Sequence, residues 1–68
     1  MTIELKQTIN PINSKSIWWA TYVDGKHVDN SSDYDYNRAL ALYDNVVRNK
    51  GKLVAETKVL ITHEVEED

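Results

Sequence analysis

Cysteine is absent from this chain, as is phenylalanine, and there are only one proline and two glycines. The lack of cysteine excludes a disulfide framework and a thiolate zinc site, two common substitutes for a large core in a small domain. It fits a reducing, cytoplasmic setting. No segment approaches the ~18 consecutive apolar residues of a membrane helix. The N-terminal MTIELKQTINPIN alternates polar and apolar residues without the apolar run of a signal peptide, so no export and no membrane partner are expected. The Asn30-Ser31-Ser32 match to a glycosylation sequon is then expected to be chance. Gly25 and Gly51 each have a turn or helix-end explanation, and no G-x-G-x-x-G or Walker sequence exists to cradle a phosphate.

What remains is the composition of a globular domain, 41% hydrophobic and 28% charged. At 68 residues such a domain buries only about 60% of its unfolded surface, so nearly every large apolar residue is needed inside. The formal charge of -3 is local. Residues 1–63 carry eight Lys or Arg against seven Asp or Glu, and the other four acids lie in residues 64–68. A near-neutral domain over 1–63 with an acidic tail over 64–68 is the expected organisation, with no internal repeat or linker.

Period-two alternation from Thr2 to Ile9 predicts a half-buried strand, and Asn10, Pro11, Asn13 and Ser14 predict a reversal. SIWWATYV, residues 16–23, is β-branched and aromatic, and Asp24-Gly25 suits a two-residue hairpin turn. The turn leads into a short extra strand over 26–28. From about 33 to 50, Tyr36, Ala39, Leu40, Tyr43, Val46 and Val47 recur at helical spacing, with Ser32 as N-cap candidate, Asp35 three residues on, and Gly51 suited to the C′ position. After it, Leu53, Ala55, Val59, Ile61 and Val65 alternate with polar residues as a third main strand. The expected fold is α+β, a single β-β-α-β domain. Its three-stranded antiparallel sheet has strand order 2-1-3, and one helix packs on one face.

Catalytic chemistry is not expected. His27 and His63 lie on different elements without ligand spacing, and the acid pairs Asp33/Asp35 and Glu66/Glu67 read as helix capping and solubilising charge. No metal or cofactor is expected, and the chain is read as a non-enzyme. Recognition is the remaining class. Adjacent tryptophans on a strand point to opposite faces, so one of Trp18 and Trp19 must lie on the face the helix leaves open. With Tyr22 and Lys26 they form a candidate surface for a partner or for stacking nucleic acid bases. No basic run supports the nucleic acid option, and the acidic tail opposes it.

Through MTIELKQTI, SIWWATYVDG, SSDYDYNRALALYDNVV and KLVAETKVLITHEV, the chain resembles small phage-encoded accessory proteins that inhibit host defence, including anti-CRISPR and anti-restriction types. The resemblance lies in size and architecture and covers the whole chain. It implies an acidic surface that occupies the basic, nucleic-acid-binding groove of a larger protein or ribonucleoprotein. The residues that suit this role are Asp29, Asp33, Tyr34 and Asp35 in DNSSDYDY, with Asp24 in the preceding turn, since acid steers association with a basic surface and pairs with arginine there. A small nucleic-acid-binding regulator and a homodimeric structural module are the alternatives, and the chain is expected to be a monomer or a homodimer.

Overall fold

The computed structural model describes residues 1–13 and 15–67. Ser14 of the predicted reversal and Asp68 of the predicted tail lie outside them. The elements are β1 (Ile3–Ile9), β2 (Ile17–Val23), β3 (Lys26–His27) and α1 (Tyr36–Arg48). Both strand pairs are antiparallel, with Ile3 opposite Val23, Ile9 opposite Ile17, and Tyr22 opposite His27. The β2–β3 turn places Asp24 at φ 48° and Gly25 at φ 82°, the two left-handed positions that a type I′ hairpin needs.

An α+β domain with a three-stranded antiparallel sheet and one helix is therefore present, but its strand order is β1-β2-β3 and not 2-1-3. β2 is central, and the third strand is the short 26–27 run. Among the described residues, the alternating segment after Gly51 forms no strand, and no strand pairs with the outer edge of β1. Beyond β3 the chain still follows β2: the Val28 N–H donates to the Thr21 carbonyl at 3.0 Å, and Trp19 and Asp33 exchange backbone hydrogen bonds of 3.0 Å. Between these points Asn30 turns at φ 65°. There the buried Ser31 hydroxyl takes the place of a ladder partner, accepting from the Thr21 N–H at 3.1 Å and donating to the Val28 carbonyl at 2.6 Å.

Strand alternation settles the tryptophans. Trp19 shares a face with Ile3, Leu5, Thr21 and Val23 and meets Tyr36 of α1 edge-on at 5.4 Å, so it lies on the helix side. Trp18, Ala20 and Tyr22 occupy the opposite face. The helix is capped by Asp35, whose side chain accepts from the Arg38 N–H at 3.2 Å, and not by Ser32, whose hydroxyl bonds His27 at 2.9 Å. At its C-terminus the Lys50 N–H reaches the Val47 carbonyl and the Gly51 N–H the Val46 carbonyl. This is the paired bonding of a Schellman motif, with Lys50 at C′ (φ 55°) and Gly51 one residue later than expected.

The interior is thin. Among the described residues, Ala20, Ala39 and Val46 are the fully buried apolar side chains, joined by Thr21 and Ser31. The radius of gyration is 17.1 Å, against about 11 Å for a compact domain of this length, because residues beyond Glu56 project from the body. One core defect is local: Thr21, fully buried on the helix side, holds its Oγ1 without a hydrogen-bond partner. An unpartnered buried hydroxyl costs about 1–3 kcal/mol. Thr21→Val, close to isosteric, is expected to raise stability by about 1 kcal/mol in urea denaturation at unchanged slope, whereas Thr21→Ala lowers it. A loss of stability in the valine variant would show that the hydroxyl is satisfied.

Candidate protein-interaction site

The acids of DNSSDYDY are mostly committed to their own backbone. Asp33 Oδ1 accepts from the Asp35 N–H at 2.7 Å, an Asx turn, and Asp35 caps the helix. Asp24, in the neighbouring turn, accepts from the Thr2 N–H at 2.8 Å and so fixes the start of β1. Each of these three carboxylates thus builds the fold through one oxygen. Asp29 makes no hydrogen bond among the described residues. Tyr34 is 73% exposed and rests edge-on against Trp18 at 6.1 Å. Of the five predicted positions, Asp33, Tyr34 and Asp35 share one corner, whereas Asp24 lies at the far end of β2.

The second predicted set is split by the sheet. Trp18 and Tyr22 share the uncovered face with Tyr34 and with Lys6, whose Nζ sits 4.7 Å above the Tyr22 ring. His27 joins them edge-on to Tyr22 at 5.5 Å. Trp19 is turned to the helix, and Lys26 pairs with Val23 and so belongs to the helix-side face. The face that remains is aromatic, with one lysine over it, and lacks the row of cations that tracks a phosphate backbone.

Asn45 is buried and organises the chain beyond the helix. Its side-chain amide acts as a peptide group: Nδ2 donates to the Val54 carbonyl at 2.7 Å, and Oδ1 accepts from the Val54 N–H at 2.9 Å. Nδ2 also reaches Glu56 at 3.1 Å, and Asn49 donates to the Asn45 carbonyl at 2.7 Å. Arg48 binds Glu56 at 2.7 Å and Asp44 at 2.9 Å. The Asp44 hydrogen bond and the nearby Glu56 charge both move the guanidinium further above its already high ordinary value. A groove of about 430 Å³ runs along this flank, lined by Asp33, Arg38, Leu42, Asn45, Arg48 and Glu56. No sequence signal separates this asparagine from a solvated one.

From Thr57 to Glu67 the chain is in neither helix nor strand and is solvent-exposed. Val59, Leu60, Ile61 and Val65 are 73, 81, 89 and 76% exposed. His63 is exposed on this arm. Among the described residues no three or more acids and histidines gather as a metal site would require, and no helix is long and apolar enough to cross a membrane. No protein family, curated protein or solved structure matches the chain.

Two outcomes test these assignments. Asp35→Ala is expected to cost about 1 kcal/mol of stability as a lost N-cap, while Ser32→Ala stays within about 0.5 kcal/mol, both read by urea denaturation. Asn45→Ala is expected to release the Val54 amide to near-intrinsic hydrogen exchange while the β2 amides of Trp18 and Ala20 stay protected.

Proposed function

We propose that this chain is a non-enzymatic protein-binding module that engages its partner through the C-terminal arm. The observation that carries this reading is the arm itself. Val59, Ile61 and Val65 recur with strand-type alternation, Leu60 falls between them, and all four are exposed, with neither a ladder nor a core to enter among the described residues. A strand with unspent backbone groups recognises a partner by adding to a sheet edge, with alternate side chains supplying specificity. The histidines fit no reacting pair, since His27 is bonded to Ser32 on the sheet and His63 rides on the arm.

A second surface is favoured by Tyr34. Held edge-on by Trp18 and set beside Asp33 and Asp35, it is an aromatic anchor ringed by acid. A larger protein or ribonucleoprotein with a basic surface, the target class of phage-encoded inhibitors, is the partner that this corner suits. Asp33 and Asp35 are poor probes of it, because substituting them also removes the turn and the cap. Asp29 and Tyr34 are free of such duties.

Recovery of bound protein from host cells by three tagged chains tests both surfaces: wild type, Val59→Asp/Ile61→Asp, and Asp29→Asn/Tyr34→Ala. All three are expected to fold alike, since none of the substituted side chains is part of the core. Loss of specific recovery with the arm variant alone is the expected result. Loss with the corner variant alone would transfer the function to Tyr34, and undiminished recovery with both would overturn the proposal.

A further inference from the structure

The arm's partner is the remaining question, and the structure holds a matching acceptor. In antiparallel pairing, the backbone groups of alternate residues point to alternate sides of a strand. Trp19 and Thr21 direct theirs toward Asp33, Val28 and Ser31, away from β1. It follows that Thr8, Lys6 and Glu4, opposite Trp18, Ala20 and Tyr22, carry the β1–β2 ladder. Ile3, Leu5, Gln7 and Ile9 aim their N–H and C=O groups outward from an edge that has no strand neighbour among the described residues. Such an edge is a template for another strand, and β1 has no proline to block it.

Above this edge lies an apolar helix stripe without a cover. Tyr36, Leu40, Tyr43 and Val47 are three to four residues apart on α1, and the Tyr43 hydroxyl donates to the Ile3 carbonyl at 3.5 Å, which places the stripe over β1. Tyr36, Leu40 and Val47 remain 48, 40 and 43% exposed. A fourth strand beside β1 would bury its inner side chains beneath this stripe. The chain's own arm is of that type but leaves from the wrong side: Asn45, which holds Val54, lies roughly 160° around the helix from Tyr43. To reach its own β1 while keeping the Asn45–Val54 pair and the Arg48–Glu56 ion pair, the arm would first have to cross around the helix, spending length that would otherwise line β1.

Resting on the arm-binding reading above, we infer that the partner is a second copy of this chain. Each protomer's arm is laid along the other's β1 edge in a reciprocal, two-fold strand exchange. Donor and acceptor are on one polypeptide, which is the condition for a closed isologous pair. Residues 57–67 span about 36 Å in extended form, enough to leave one body and cover the seven residues of β1 in the next. Charge selects the direction. With the arm parallel to β1, Lys58 falls near Glu4, and Glu64, Glu66 and Glu67 approach the Lys15 end of the hairpin. The antiparallel arrangement brings the arm's acids to Glu4 instead. The exchange would bury Val59 and Ile61 and add ordered chain to a body whose own core is small.

The test is sedimentation equilibrium of the full chain over a wide concentration range, together with amide exchange. A dimer is expected, with slowed exchange at Leu5, Gln7 and the arm amides, and Val59→Asp/Ile61→Asp is expected to be a folded monomer. Gln7→Pro removes an outward N–H at an edge where proline is tolerated, and is expected to weaken the dimer by about tenfold or more. The Val59→Asp/Ile61→Asp chain, its own arm disabled, is expected to bind a synthetic peptide of residues 57–67. A strict monomer with protected Leu5 and Gln7 amides would mean that the arm closes its own edge, and overturns the exchange. A dimer lost in the arm variant but unaffected by Gln7→Pro would mean arm-to-arm pairing, and also overturns it. A strict monomer with unprotected β1 amides that still recovers a different protein through Val59 and Ile61 would overturn only the identity of the partner, leaving the arm-binding reading in place.

Discussion

Asn45 closes two hydrogen bonds with Val54 on the flank of α1 turned away from β1, and the course of the chain after the helix follows from that choice of flank. The side-chain amide offers the same donor and acceptor pair as a peptide group, so it holds one residue of passing backbone as a strand would. Because Asn45 is buried and Val54 satisfies both ends of its amide, breaking the contact leaves polar groups in need of partners. The Arg48–Glu56 ion pair adds direction but little energy, since both side chains are half exposed. Once the chain takes this flank, the edge of β1 stays open and the apolar stripe above it stays uncovered. The remaining apolar residues leave the body on an arm.

The sheet and helix were legible in sequence because each is decided locally. The alternation of β1 and the β-branched, aromatic run of β2 specify strands whatever their neighbours. Asp24-Gly25 specifies a turn of one hand, and the helical stripe from Tyr36 to Val47 specifies its own face. Which tryptophan lies inside was not legible, because both faces of β2 are apolar; the choice is made by Tyr36 meeting Trp19 and by Tyr34 meeting Trp18. The N-cap moved from Ser32 to Asp35 for a similar reason. Ser32 is a good cap in isolation, but Asp33 is held beside Trp19 in a β-bridge, so the helix cannot begin before that contact ends.

The segment after Gly51 was misread in a more instructive way. Its alternation is real and states which side chains belong on a buried face, yet alternation carries no address. Whether such a strand pairs with its own β1, with another chain or with nothing depends on where the preceding element releases it. That point was set by an asparagine indistinguishable in sequence from a solvated one. The acidic stretch DNSSDYDY shows the reverse error. Its density of charge suggests a binding surface, but Asp33 and Asp35 are spent on the turn and cap that join the sheet to the helix. Only Asp29 and Tyr34 stay clear of structural work, so the candidate site at this corner is smaller than the sequence suggested.

Size makes the open edge more than a detail of routing. A domain of 68 residues without cysteine has no disulfide with which to supplement its core. Here the fully buried apolar side chains of the described residues are two alanines and a valine, while leucines, valines and tyrosines sit half-covered around them. Such a body gains more from covering existing apolar surface than from any surface charge, because burial contributes about 25 cal/mol per Å², whereas an exposed ion pair contributes about 0–1 kcal/mol in all. Much of the uncovered apolar surface is divided between the arm and the helix stripe over β1, which the proposed exchange would join as two halves of one interface. In the proposed exchange, what brings those two halves together also covers the body's exposed apolar surface, so binding and stability would draw on the same residues.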